Sequence, residues 1–300
     1  MSALRLRAPA KINWTLEVLG ERADGYHEIR TVLQTIELSD WVTITPDDEI
    51  SLSLSGEPGP LAREPLQTNL AYRAAALLPR PTGSNRPRGA HIELEKHIPV
   101  AAGLGGGSSN AAAVLRGLHA LWQLDLSGEQ LATLASELGS DVPFFLRGGC
   151  ALAAGRGELL TSLPDAPERR LLLAWPPRRA PADKTERMYG AMRKEHYTSG
   201  ARSERLADHL RGGNPVTPQG IYNAFERVLS LVDAALARTL EELPVAQGPH
   251  LCGSGPAAFF LLEPDQPVEP LRARLEALGL RAAETRTLSA PNALAIEELL

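Results

Sequence analysis

The chain has 300 residues, 43% hydrophobic and 22% charged, the balance of a globular protein with one large or two medium cores. A formal net charge of −5 argues against general affinity for nucleic acid or an acidic membrane surface. No apolar run approaches the length of a membrane span, and the start lacks a basic-then-apolar signal pattern, so a cytoplasmic location is the expectation.

In chain order, Leu4 and Leu6 open a strand, and Ile12, Trp14, Leu16 and Val18 alternate through a second. Between them, Pro9-Ala10-Lys11-Ile12-Asn13 puts Lys11 and Asn13 on the face opposite Ile12 and Trp14. Such a pair is either a solvated edge or a charged and a hydrogen-bonding group aimed into a cleft. Asp24-Gly25 is a hairpin signal, and Tyr26-His27 after it joins a flat aromatic to a ring that both donates and accepts hydrogen bonds. Strands are predicted over 29–36, 41–45 and 51–55, followed by a Gly- and Pro-rich loop to Pro65. A helix capped by Thr68 or Asn69 runs to Leu78, Pro79 stops it, and an exposed loop follows to Gly89.

Ile92, Leu94 and Lys96 then alternate with Glu93 and Glu95 as a strand. It leads into Pro99-Val100-Ala101-Ala102-Gly103-Leu104-Gly105-Gly106-Gly107-Ser108-Ser109, and Val114, Leu115, Leu118 and Leu121 recur beyond at helical spacing. Ser108, Ser109 and Asn110 are the expected cap of that helix. Glycines between a strand and a helix start turn several N–H groups and a helix dipole toward one spot, which suits a phosphate. The loop matches neither the P-loop nor the dinucleotide fingerprint. A flexible linker is the alternative, although periodic segments on both sides argue against it.

Ser127 and Gln130 form a capping box for a further helix closed by Gly139. In Ser140-Asp141-Val142-Pro143-Phe144-Phe145 the proline begins another, with Ser140 or Asp141 as its cap. An acid beside such an apolar run also suits a general base. Residues 165–214, rich in Pro, Arg and polar residues around the apolar run 171–175, read as a crossover between domains 1–163 and 164–300. Ile221–Leu243 reads as one helix, His250-Leu251-Cys252-Gly253-Ser254-Gly255 as a turn into a strand at 258–262, then a helix at 268–278 and a strand near 281–288. That alternation suggests a small α/β sandwich. Cys150 and Cys252 show no metal-ligand spacing and are expected as reduced core thiols. Only four of the 31 basic residues are lysines (Lys11, Lys96, Lys184 and Lys194), so each invites a reason; genome bias is the simplest one.

The segments Pro9–Asn13 with Asp24–His27, Pro99–Ala113, Gly139–Phe145 and Gly253–Gly255 together resemble the motifs of the GHMP small-molecule kinases. Within that family they are most similar to the branch that phosphorylates the 2-hydroxyl of a cytidine-diphosphate-linked methylerythritol in the non-mevalonate isoprenoid pathway. The resemblance implies a two-domain α+β fold: a ribosomal-protein-like N-terminal domain, a ferredoxin-like C-terminal domain, and an active site in the cleft. It further implies that the loop from Pro99 to Ser109 holds the ATP phosphates, with Asn69 and Lys96 on the nucleotide side. Asp141 matches the catalytic acid and Lys11 the catalytic lysine: an alcohol attacking the γ-phosphoryl group must lose a proton, and an Asp can accept it. Tyr26 and His27 match cytidine-binding positions, Thr185 and Tyr189 a second wall of that site, and Asn13 a substrate-contacting one. ATP and Mg²⁺ are the implied cofactors; Ser108 or Ser109 is the candidate metal ligand, with phosphates and waters as the alternative. One departure stands out: Asn223-Ala224-Phe225-Glu226 replaces the family's Asn-Asp-Leu-Glu. Other readings are a mevalonate- or homoserine-type kinase, a non-catalytic nucleotide-binding regulator, and, least favoured by the acidic charge, an RNA-binding module.

Overall fold

The computed structural model describes residues 3–57, 59–80, 88–243 and 248–299; Pro58 and the centre of the expected 79–89 loop lie outside them. β1 (Ala3–Glu21) is one strand where two were expected. Pro9 does not end it, because the pairing with β2 shifts register between Pro9 and Ala10 and absorbs the missing N–H. β2 (His27–Asp47) likewise runs through both strands predicted at 29–36 and 41–45. β3 (Ile50–Gly56) lies parallel to β4 (Gly89–Lys96), and α1 (Leu70–Leu77) between them starts where Asn69 accepts from the Ala71 N–H at 2.9 Å.

α2 (Gly106–Leu121) begins earlier than expected. Its cap is Gly105 in the left-handed region, so Ser108, Ser109 and Asn110 lie inside the helix instead of ahead of it. α3 (Gly128–Leu138) has the expected capping box, with Ser127 Oγ accepting from the Gln130 N–H at 3.2 Å and Gln130 Oε1 from the Ser127 N–H at 2.8 Å. α4 (Val142–Arg147) follows Asp141. The hairpin of β5 (Cys150–Ala154) and β6 (Leu159–Leu163) was not expected from the sequence.

β7 (Arg170–Trp175) leads into α5 (Lys184–Ala191) and α6 (Ala201–Arg211), two helices inside the stretch read as a crossover. The predicted helix 221–243 is divided into β8 (Tyr222–Asn223), a 3₁₀ turn, α7 (Leu229–Val232) and α8 (Ala234–Glu241). Asn223 and Asp233 cause the breaks: each accepts from a backbone N–H just ahead of it, Phe225 at 3.0 Å and Leu236 at 3.1 Å, restarting the chain. β9 (His250–Leu251), β10 (Ala258–Leu262), α9 (Glu269–Ala277), β11 (Arg281–Arg286), α10 (Ala290–Ala293) and β12 (Ile296–Leu299) complete the order.

An eight-stranded sheet runs β12-β1-β2-β4-β3, with β5 on β2, β6 on β5 and β8 on β1; a four-stranded antiparallel sheet runs β11-β7-β10-β9. The mixed sheets and helices give the expected α+β fold. Leu4, Leu6 and Ala8 of β1 pack with Val42, Ile44, Ile92 and the buried stripe of α2 in one core. Past the register shift, Ala10, Ile12 and Trp14 pack against Leu171, Leu173, Phe259 and Leu261, which joins the two sheets. Trp14 meets Phe259 edge-on at 5.6 Å. The four-stranded sheet buries its other face, Leu172, Ala174, Phe260 and Leu262, beneath α8 and α9. One strand thus feeds all three cores, Leu16 and Val18 entering the last, and Lys11 is left to line the cleft.

Candidate active site

Lys11 projects from β1 and is only 5% exposed. Its ammonium donates to Asn13 Oδ1 at 2.9 Å, and Asn13 Nδ2 donates to Thr31 Oγ1 at 2.8 Å. Across the cleft, Asp141 Oδ2 is 3.8 Å from Lys11 Nζ. Asp141 holds the N-cap position of α4, yet its carboxylate makes no capping hydrogen bond and its side chain is 38% exposed. Val142, Pro143, Phe144 and Phe145 are buried behind it. A carboxylate released from capping, walled by apolar side chains and open to a cavity, is placed to take a proton from a ligand.

The glycine loop comes up beside this pair. The Lys11 N–H donates to Leu104 O at 2.9 Å. Gly103 has φ +83°, and a Cβ there would lie 2.0 Å from Cys252 O, so the two glycine turns touch backbone to backbone. A Cβ on Gly105 would lie 2.8 Å from the Phe145 ring. Gly103, Gly105 and Ser108 line the cavity, Ala102 and Leu104 are buried beneath the loop, and Ser109 is buried with its hydroxyl unpartnered. Pro99, Val100, Ala101, Gly106 and Gly107 continue the loop beyond the cavity lining. Asn69 caps α1. Lys96 is buried, its ammonium bound to Asp40 and, at 2.7 Å, to Asn110 Oδ1, so that charge supports the loop from below.

Gly253-Ser254-Gly255 closes the third side, and a Cβ on Gly253 would lie 3.1 Å from Lys11 Nζ. The departing Asn-Ala-Phe-Glu motif holds this turn. Asn223 Nδ2 donates to Leu251 O at 3.0 Å and Gly253 O at 2.8 Å, while Glu226 Oε1 accepts from the Leu251 N–H at 2.9 Å. Ala224, at the family's acidic position, is buried in the core.

The other end of the cavity is aromatic. His27 stacks on Tyr189 with centroids 4.7 Å apart and planes at 25°. Tyr189 meets Phe225 edge-on at 4.9 Å, and Tyr197 stands 6.2 Å from His27. Burial pushes the Tyr189 hydroxyl up to about 12, with the charge of Asp141 adding to it. Tyr26 is 55% exposed and carries the Arg156 guanidinium 4.7 Å above its ring. Thr185 Oγ1 lies 2.9 Å from Ser254 Oγ. Together these residues surround one cavity of about 830 Å³. Arg156, Phe225 and Tyr197 were missed in the sequence. The turn Gly155-Arg156-Gly157 was the available signal; it reaches Tyr26 because Ile29 N–H donates to Gly155 O at 2.8 Å. Both cysteines are free, as expected, and burial raises each thiol to about 12.

Residues 69–149, which carry the glycine loop and Asp141 of this cleft, match the GHMP kinases N terminal domain, and that match gives the class of the protein. A 4-diphosphocytidyl-2-C-methyl-D-erythritol kinase from Synechocystis is 40% identical over 279 residues, covering 87% of each chain. A crystal structure of 4-(cytidine 5'-diphospho)-2C-methyl-D-erythritol kinase aligns over 94% of this chain and 98% of its own, with TM-score 0.74 and 35% identity. A homoserine kinase from Cytophaga hutchinsonii aligns over 99% and 98% with TM-score 0.71 but 15% identity, a likeness of fold alone. The chain belongs to the 4-diphosphocytidyl-2-C-methyl-D-erythritol kinase family and is an enzyme of the kinase class. Among the described residues, no helix is long and apolar enough to cross a membrane.

Proposed function

We propose that this kinase transfers the γ-phosphoryl group of ATP to the 2-hydroxyl of 4-diphosphocytidyl-2-C-methyl-D-erythritol. The observation that carries the reading is the Lys11–Asp141 pair, 3.8 Å apart, opening into a cavity whose far end is built from Tyr26, His27 and Tyr189. The glycine loop holds the nucleotide phosphates on backbone N–H groups and the start of α2. Asp141 accepts the proton of the attacking hydroxyl, and Lys11, held by Asn13, steadies the oxygen that attacks. A cytosine ring finds stacking faces at Tyr26 and at the His27–Tyr189 wall, and a substrate without a nucleobase needs neither.

Magnesium fits the loop. The Ser109 hydroxyl is buried without a partner at the start of α2 and Ser108 faces the cavity. No cluster of three or more His, Cys, Asp or Glu suited to a metal occurs among the described residues. The ion would therefore be carried chiefly by phosphate oxygens with a serine hydroxyl, and when bound it offsets phosphate charge.

Purified protein given this substrate, ATP and Mg²⁺ should release ADP. Turnover of homoserine or mevalonate instead would move the chain to another branch of the fold, and ATP binding without turnover of any alcohol would make it a regulator. Tyr26→Ala should raise KM for the cytidine substrate about tenfold or more and leave kcat within a few-fold, reflecting the ~1–3 kcal/mol of one lost stack. An unchanged KM would remove Tyr26 from base recognition.

A further inference from the structure

Among the four lysines, Lys11 faces the cleft and Lys96 supports the loop, whereas the chemistry above leaves Lys184 unused. It opens α5, is only 5% exposed, and donates its ammonium to the carbonyl of Ser254. A Cβ on Gly255 would lie 2.7 Å from Lys184 Nζ, so the ammonium sits directly against the turn. The N–H of the same peptide unit, that of Gly255, donates to Cys252 O at 2.8 Å. The peptide plane between Ser254 and Gly255 is therefore held at both ends. On its opposite side, the turn abuts Lys11 through Gly253.

We infer that Lys184 is a positioning residue for phosphoryl transfer: by clamping the Ser254 carbonyl it fixes the Gly253–Gly255 turn against Lys11. The inference rests on the phosphotransfer reading of this cleft. Released, the peptide plane between Ser254 and Gly255 is held at one end only, and Lys11 loses a fixed wall behind its ammonium. α5 also carries Thr185, bonded to the Ser254 hydroxyl, and Tyr189 of the aromatic wall, so one helix ties the substrate end of the cleft to the phosphate end.

The charges that face Lys184 come from Asp233, ahead of α8, and from Arg178, ahead of α5, themselves paired at 2.7 Å. The turn on its other side brings no carboxylate, and Lys11 lies beyond Gly253. Burial pulls Lys184 down to about 8, with Asp233 acting to raise it and Arg178 to lower it. A neutral amine donates a weaker hydrogen bond than an ammonium, so the clamp loosens as pH rises through that value.

The test is steady-state kinetics of the native enzyme, Lys184→Met and Arg178→Met from pH 6.5 to 9, with glycine-labelled amide NMR of the native chain over the same range. In the native enzyme, kcat should fall as pH rises through about 8 and the Gly253 and Gly255 amides should shift with the same midpoint. Lys184→Met should lower kcat about tenfold at pH 7 with KM for the cytidine substrate little changed, and should lack the alkaline fall. Arg178→Met should move that fall to higher pH. Native kcat at pH 7 in Lys184→Met, or a KM effect without a kcat effect, overturns the proposal and leaves Lys184 a packing group of α5. Should Lys184→Met not fold, an alkaline fall unmoved by Arg178→Met overturns it equally. Glycine amides that follow the titration in a protein inactive on the cytidine substrate would uphold the clamp and sink the proposed substrate instead.

Discussion

Asp141→Asn is expected to fold as the native chain does and to lose at least about a hundredfold in kcat, the lower range for removal of a general base. Its fold is expected to survive because the carboxylate makes no capping hydrogen bond to α4, and Val142, Phe144 and Phe145 hold the helix through their own burial. Asn has the same shape and cannot accept the hydroxyl proton. Since the ammonium of Lys11 keeps its bond to Asn13 in this variant, nucleotide and substrate binding should change little. Steady-state kinetics with a thermal melt separates the effects: a native melt with near-native kcat would show that the proton leaves by another route.

Lys96→Met carries the largest expected effect on stability. Asp40 is fully buried and takes four partners: the Lys96 ammonium, Asn110 Nδ2 at 2.9 Å, and the N–H groups of His97 at 2.7 Å and Ile98 at 2.8 Å. Burial pulls the Lys96 ammonium's pKa down while Asp40 acts to raise it. Removing the lysine strands a buried carboxylate, which costs about 3–5 kcal/mol, whereas replacing both partners with uncharged groups costs much less. Denaturant unfolding of Lys96→Met, and of Lys96→Met with Asp40→Asn, should show a large loss that the second change recovers in good part. A loss below about 1 kcal/mol in the single variant would mean the pair is not the support of the glycine loop.

How much of this was legible in the sequence depends on how local each cause is. The glycine loop could be read because positive φ demands glycine and both flanks are strongly periodic. The shared face of Lys11 and Asn13 followed from strand alternation, and the structure places both side chains together. The continuity of β1 was hidden because Pro9 reads as a stop, and only the register shift against β2 shows how the strand passes it. α6 was hidden by its many charged residues. Its buried stripe, Ser203, Leu206, Ala207 and Leu210, has helical spacing, but it opens on a serine and contains only three apolar side chains. Asp141 shows the limit most sharply: capping residue and base have the same local sequence, and the absent capping bond and the 3.8 Å approach to Lys11, which support the proposed base, arise only in three dimensions. Lys96 met its partner 56 residues away, which no local pattern records.

The direct contact between the Gly103 and Cys252 backbones divides the cleft into two kinds of surface. At that contact, spacing is set by main chain meeting main chain, and the Asn223 amide and Lys184 ammonium hold the turn that carries it. At the other end side chains set the shape: Tyr26, His27 and Tyr189 line the cavity, where on the proposed reading the acceptor is chosen. On that reading, a lineage built this way can rewrite what it phosphorylates while inheriting intact the means of doing so.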